Sequence, residues 1–410
     1  MAEPAIPTPT PTAWRPRIAQ GLAGTLLFLG AWIVVPAPLH ALLPLSVGAP
    51  ETAHLLLVSG LIVALLALAD VHRSRVARFA LLVAVAALIL PVVVISSVPG
   101  VITSSDRAMT QALGVGYVET IAPTTRERLR PSPVSIRDLF LGLPSGDVRV
   151  TAGVAFSNAG GETLAVDVYQ PADGGTYPVV VQIYGGGWRS GTRGSNATFA
   201  RALAAAGYVV FAIDYRHTPR WQWPAQLDDV RAALAWIKAH GGEYGADTHR
   251  IVMLGRSSGA QLALISGITA GDPDIRAIVA FFSPVNLTQG YREPGFPDTL
   301  GLRDLERAFI GGTPDDKADA YRDASPITYA DRPHPPVLLV NGGQDRIVYA
   351  HYGAALHERL RQSGRSAMLL IPWANHAFDE VPFGPSGQLA LYYSERFLGW
   401  ATSSSRADLN

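Results

Sequence analysis

Gly255-Arg256-Ser257-Ser258-Gly259 stands between the apolar run Ile251-Val252-Met253-Leu254 and the helix-prone Ala260-Gln261-Leu262-Ala263-Leu264-Ile265. Strand, sharp turn and helix in that order give a G-x-S-x-G pattern physical content. The turn forces the serine into strained dihedrals at the carboxyl end of a strand and leaves its hydroxyl exposed. Glycines belong on either side because side chains there would collide with the neighbouring strand and helix. The plainer alternative is a strand-to-helix turn in which Ser257 only caps the helix, and partners elsewhere in the chain must decide between the two.

Outward from this stretch, β-rich runs at 148–156, 164–169, 179–184, 208–213, 251–254, 275–281, 337–340 and 367–371 alternate with helical runs at 198–206, 225–240, 258–268, 349–362 and 388–400. Two antiparallel-looking strands followed by repeated β-α units predict an α/β class fold, a mostly parallel sheet covered by helices on both faces. Sites in such sheets gather at the carboxyl ends of the strands. After 179–183 comes Tyr184-Gly185-Gly186-Gly187-Trp188, whose glycines leave backbone N–H groups bare, as an oxyanion hole requires. A phosphate cradle competes for that reading, but no Gly-Lys-Ser/Thr follows.

Asn341-Gly342-Gly343-Gln344-Asp345 follows the strand at 337–340, and Pro372-Trp373-Ala374-Asn375-His376 follows the strand ending at 371. An acid and a histidine thus occupy the two strand ends after the serine, in the order Ser257, Asp345, His376. The chemistry requires each type. Neutral imidazole takes the hydroxyl proton and returns it to the leaving group, while the carboxylate fixes the tautomer. Asp379 and Glu380 lie too close to His376 in sequence to orient it from another strand. Asp228 and Asp229 read as a helix-face pair near Tyr215 and Arg216. Trp221, Trp223 and Trp236 read as packing, with one ring available to line an acyl pocket. No metal-ligand cluster and no cofactor motif is expected.

These residues resemble an α/β-hydrolase of the lipase/esterase group that includes hormone-sensitive lipase-like enzymes and related carboxylesterases. The resemblance runs from about 164 to 400. Beyond the serine motif it includes Leu164-Ala165-Val166-Asp167-Val168-Tyr169, Asp214-Tyr215-Arg216 with Pro224-Ala225 and Asp228-Asp229, Ser325-Pro326, and Gly342-Gly343-Gln344-Asp345 before Asn375-His376-Ala377-Phe378. It implies a Ser257, Asp345, His376 triad with oxyanion N–H groups from Gly186, Gly187 and Ser258. Where that group usually has His-Gly-Gly-Gly, this chain has Tyr184-Gly185-Gly186-Gly187, as type-B carboxylesterases do. Tyr184 and Gly185 are then loop supports, with no proton transfer assigned to the tyrosine.

The rest of the chain has a different texture. Residues 1–16 are rich in Pro, Thr and Ala and read as a disordered tail. Three apolar runs follow at 18–35, 53–69 and 76–98, whose only charged residue is Arg78, each close to the length of a membrane span. A packed hydrophobic hairpin is the alternative for the short second run. Arg15 and Arg17 precede the first run and Arg73, Arg75 and Arg78 crowd the second connection, whereas the first connection carries only Glu51. Three spans with those arginines on the cytoplasmic side put everything after residue 98 on the outer face of the cell membrane. Residues 99–147 read as a linker or cap segment, with Ser104-Ser105-Asp106 capping a short helix and 126–133 as linker; the catalytic domain is expected over 148–402.

Composition closes several doors. With 33 basic and 33 acidic residues the chain has no electrostatic footprint for nucleic acid, and with no cysteine it has no thiol nucleophile, disulfide or Cys-ligated zinc. The expectation is a membrane-anchored serine hydrolase acting on a small-molecule or lipid ester. A peptidase or amidase on the same triad, and a non-catalytic binding module on a hydrolase fold, are the alternatives.

Overall fold

A computed structural model describes residues 14–144, 146–404 and 409. The expected tail lies outside the described residues up to position 13, and its last three residues already open helix α1 (Trp14–Ala31). The described residues divide into two units, one within Met1–Ala37 and Ala41–Pro99, the other within Pro38–His40 and Gly100–Asn410.

In the first unit α1, α3 (Ala53–Leu68) and the front of α4 (Arg75–Leu113) carry the three apolar runs, and α2 (Leu43–Glu51) lies between the first two. Small residues fill its interior: Ala19, Ala23, Ala67, Ala80 and Ala84 are buried with Val63. A Cβ on Gly60 would come within 2.6 Å of Leu88. Among the described residues, α4 is long and apolar enough to cross a membrane. A second crossing is reached only if the segments His40–Glu51 and Ala53–Leu68, which meet at a 75° bend, count as one span. α1 falls short of that hydropathy, because its first turn carries Trp14, Arg15 and Arg17 and it ends at Ala31.

α4 also corrects the reading of the segment after residue 98. Ser104, Ser105 and Asp106 lie inside it rather than capping a new helix, and it continues across Pro91 and Pro99 to Leu113. The stretch 126–133 is fastened rather than a free linker. It follows the single turn α5 (Pro123–Arg126), and Arg130 donates from its backbone N–H to Glu395 (2.9 Å) and from its side chain to Asp138 (2.8 Å) and Gln388 (3.1 Å). Ser135 then caps α6 (Ile136–Leu141).

The second unit is organised by an eight-stranded sheet in the order β1-β2-β4-β3-β5-β6-β7-β8. The strands are β1 (Val148–Ala159), β2 (Glu162–Pro171), β3 (Tyr177–Ile183), β4 (Val209–Ile213), β5 (Ala246–Arg256), β6 (Ile275–Phe281), β7 (Val337–Gly342) and β8 (Ser366–Ile371). β2 pairs antiparallel with both β1 and β4, and the remaining pairs are parallel. Central strands such as Val179-Val180-Val181 and Ile251-Val252-Met253-Leu254 are apolar at every position because both faces are covered.

Helices α8 (Ala225–His240), α9 (Ser258–Thr269) and α13 (Ala350–Ser363) share one core with alternate strand residues. α7 (Ala197–Ala205) and α14 (Pro385–Ser403) cover the other face. Between β6 and β7 the chain adds α10 (Leu287–Arg292), α11 (Leu302–Ile310) and α12 (Ala318–Asp323), which pack with Trp188 into a separate apolar cluster.

Register places the site. Ile183 pairs with Gly255, Gly255 with Ala280, Ala280 with Leu339, and Gly342 with Ile371. The carboxyl ends of β3, β5, β6, β7 and β8 are therefore level, and the residues that follow them emerge along one edge.

Candidate active site

Ser257 leaves β5 at φ 50°, ψ −121°, a conformation that costs a non-glycine residue about 1–3 kcal/mol. It is held there by its own N–H, which donates to the Phe281 carbonyl at 2.9 Å, and by the start of α9 immediately after it. The flanking glycines are required by space. A Cβ on Gly255 would lie 2.2 Å from the Gly259 carbonyl oxygen, and one on Gly259 would lie 2.3 Å from the carbonyl oxygens of Ile183 and Tyr184.

Asp345 and His376 reach Ser257 from the ends of β7 and β8. His376 Nε2 is 3.0 Å from Ser257 Oγ, and Nδ1 is 2.7 Å from Asp345 Oδ2. With Asp345 as acceptor, the ring carries its proton on Nδ1 and turns a bare Nε2 toward the hydroxyl. Asp345 is itself fixed: its Oδ1 accepts from the N–H groups of Ile347 and Val348, both at 2.8 Å. Both side chains are buried, and the Phe282 ring packs on the imidazole at 4.6 Å.

The glycine loop after β3 is the third component. A Cβ on Gly185 would meet the Arg256 carbonyl oxygen at 2.9 Å and one on Gly186 the Ser190 carbonyl oxygen at 2.1 Å, while one on Gly187 meets only the Leu305 side chain, at 2.7 Å. Among the described residues no carbonyl accepts from the N–H of Gly186, Gly187 or Ser258. Tyr184 braces this loop. Its ring stacks on Tyr215 at 4.5 Å, and its hydroxyl lies 2.9 Å from His217 Nε2. Burial pushes the tyrosine hydroxyl pKa up and the His217 imidazole pKa down, and the same hydroxyl lies 3.4 Å from the Tyr215 carbonyl oxygen. Tyr215 in turn donates to the Tyr184 carbonyl at 3.2 Å and lies 3.3 Å from Ser258 Oγ.

All eight residues singled out in the sequence come to this edge. Sequence reasoning gave no role to Trp188, which is buried at φ 58°, stacks on Phe309 at 4.1 Å and donates from Nε1 to Gln261 at 3.1 Å. A bulky aromatic directly after the glycines was the available signal. Asp229 is buried against Arg216, and Asp228 is exposed, so the expected pair does not act as one. Of the three tryptophans, Trp223 packs on Phe309 beside the glycine loop, Trp221 donates to Glu162, and Trp236 packs against Phe211. Among the described residues no group of His, Cys, Asp and Glu is arranged to hold a metal ion.

Comparison with known proteins bears on the same stretch. The BD-FAE family model matches residues 166–360. In Mycobacterium tuberculosis, a protein named probable carboxylic ester hydrolase LipM is 32% identical over 57% of this chain and 56% of its own length. Esterase LipC from that organism is 33% identical over 55% of this chain and 59% of its own. The chain thus spans little more than half the length of these relatives. A crystallised esterase from Pyrobaculum calidifontis superposes with a TM-score of 0.55 at 23% identity, covering 73% of this chain and 92% of that one. The fold is the α/β-hydrolase fold. Within it Ser257 follows β5, Asp345 follows β7 and His376 follows β8. The matched stretch begins within β2 and contains the glycine loop, Ser257 and Asp345; His376 lies beyond it.

Proposed function

We propose that this protein is a serine hydrolase of carboxylic esters, an esterase or lipase that forms an acyl-enzyme on Ser257. The observation that carries the reading is the relay of Ser257, His376 and Asp345 at 3.0 and 2.7 Å on an edge that also presents a bare glycine loop. His376 Nε2 takes the Oγ proton as Oγ bonds to the ester carbon, and the carbonyl electron pair moves onto oxygen. The N–H groups of Gly186, Gly187 and Ser258 receive that oxyanion. Collapse breaks the bond to the alkoxide, which leaves as an alcohol with the proton held on His376. Water, deprotonated by the same nitrogen, then splits the acyl-enzyme to the free acid and restores Ser257. The names of the relatives favour an ester over an amide substrate.

In this reading Ser257→Ala abolishes covalent labelling by a fluorophosphonate and lowers ester turnover by about a million-fold, or to background. Labelling that persists in that variant would remove the assignment.

The first unit acts in this reading as an integral membrane anchor of three spans, the first two short. Its support is the distribution of side chains: leucines, valines and isoleucines lie on its outside and alanines inside, which suits a surrounding solvent of lipid. The arginines before the first run and between the second and third support an outer-face position for the hydrolase domain, next to lipophilic esters concentrated in the bilayer. Protease added to intact cells stripped of their outer layers tests the topology. Digestion of the Ser257 domain without lysis is expected, and full protection until lysis overturns the orientation.

A further inference from the structure

The serine motif holds a buried charge that the relay does not use. Arg256 immediately precedes Ser257, and Asp379 follows His376 by three residues; their side chains are 2% and 1% exposed. Arg256 Nε donates to Asp379 Oδ2. The guanidinium lies over the rings of Phe199 (4.5 Å) and Phe281 (5.0 Å). Phe281 is also the residue whose carbonyl accepts the Ser257 N–H. One side chain thus touches α7, the end of β6 and the histidine loop, and its own backbone leads directly into the nucleophile.

Stability is a poor reason for such a pair. Desolvating two charges costs several kcal/mol, and well-packed apolar residues of the same volume are often as stable or more so. What the pair adds is direction. The contact is one charge-assisted bond from Nε, with both Nη atoms and Asp379 Oδ1 buried without a hydrogen-bond partner among the described residues, and the two rings hold the guanidinium plane, so Asp379 is fixed relative to Arg256. The histidine loop needs that. Ala377 stands at φ 58°, a strained turn directly after His376, and Phe378 packs on Phe282 (5.6 Å), the ring that lies against the imidazole. Asp345 fixes the ring through Nδ1, but nothing in that bond sets how far Nε2 stands from Ser257. Glu380, accepting from Asn196 Nδ2 at 2.9 Å, ties the far side of the loop to the start of α7.

We infer that the Arg256–Asp379 pair is a positioning clamp that sets the separation of Ser257 Oγ and His376 Nε2. The inference rests on the serine-hydrolase reading above. Displacement of reacting groups by about 1 Å costs roughly a hundredfold in rate. Loss of the clamp therefore acts on kcat and leaves substrate binding alone.

The experiment uses the full chain in detergent and a short-chain p-nitrophenyl ester, with rates expressed per site titrated to completion by a fluorophosphonate. The double variant Arg256→Met/Asp379→Leu replaces both charges by apolar groups and avoids stranding one of them. Expected are a Tm near that of the wild type, kcat lowered by roughly tenfold to a hundredfold, and KM within about twofold. Wild-type kcat in the folded double variant would overturn the clamp. If the double variant does not fold, Arg256→Lys decides: it keeps the charge and loses the Nε donor and the plane that lies over the two rings, a several-fold fall in kcat is expected, and an unchanged kcat overturns the inference. Absence of labelling in the wild type, or its persistence in Ser257→Ala, would instead remove the hydrolase reading and the clamp with it. A labelled wild type beside a fully active double variant removes the clamp alone.

Discussion

The two units of this chain treat large apolar side chains differently. In the sheet-bearing unit large residues are fully enclosed beside small ones: Val181, Ile183, Leu254, Phe211 and Phe281 all have 0% exposure. In the amino-terminal helices the enclosed residues are Ala23, Ala67, Ala80 and Ala84, also at 0%, while Leu65, Leu82 and Ile89 stand 66%, 70% and 59% exposed. Water sorts residues by apolar area, so it drives the large ones inward. Where the surroundings are as apolar as leucine, that drive vanishes, and helices associate by close approach through small residues. Under the proposed membrane anchor, the same alphabet is written for two solvents.

The sharpest way to test that division is to change one unit and read the other. Asp345→Asn leaves His376 in the wrong tautomer and is expected to lower turnover about ten-thousand-fold, with membrane sedimentation of the protein unchanged. Near-normal turnover would mean another carboxylate orients the histidine.

A matched pair of substitutions bears on the solvents themselves. Leu339, buried in β7, is expected to destabilise the sheet-bearing unit by about 2–5 kcal/mol when changed to Ala, read by denaturant unfolding. Ile89→Arg, on the exposed side of α4, would be nearly silent in water but costs roughly 2.5–3.5 kcal/mol of insertion in a bilayer. Loss of the carbonate-resistant membrane fraction is the expected result for Ile89→Arg, and retention of that fraction would collapse the contrast.

The smallest effect concerns Glu395, which is buried in α14 where its Oε2 accepts from the Arg130 N–H. Burial pushes its carboxyl pKa up to about 7. The folded state therefore favours the protonated acid. No penalty is present below the unfolded pKa near 4.5; it grows as pH rises toward about 7 and is complete above it. Glu395→Gln should remove that slope, raising stability at pH 8 by on the order of 2 kcal/mol and leaving it little changed at pH 4.5. A gain independent of pH would place the effect in packing instead.

What could be read from the sequence was local. Strand, glycine turn and helix around Ser257 lie within a few residues of each other, and the acid and histidine follow strands whose apolar runs are unmistakable, so the edge could be assembled from the residues alone. Three features could not. The helices α10 to α12 are six to nine residues long and take their order from Trp188 and Phe309 rather than from their own periodicity. The apolar run that opens α4 ends near residue 98, yet the helix goes on because Val101, Met109 and Leu113 are buried and the Tyr393 hydroxyl donates to Asp106 at 2.8 Å. Hydropathy measures the run; packing extends it. Arg256 and Asp379 are 123 residues apart, and nothing in either neighbourhood names the other.

The glycine loop also constrains the routes by which this site can change. At Gly185 and Gly186 the obstacles to a methyl group are carbonyl oxygens of Arg256 and Ser190, which cannot withdraw without unmaking the edge. Those two positions have no viable neighbour one substitution away. At Gly187 the obstacle is the Leu305 side chain, and the φ of 59° adds a left-handed penalty of about 1–2 kcal/mol for alanine. Change at Gly187 is therefore coupled to Leu305, whose side-chain end must turn aside or shorten to make room. The two substitutions are coupled, and testing each separately against the starting chain would miss their combined effect.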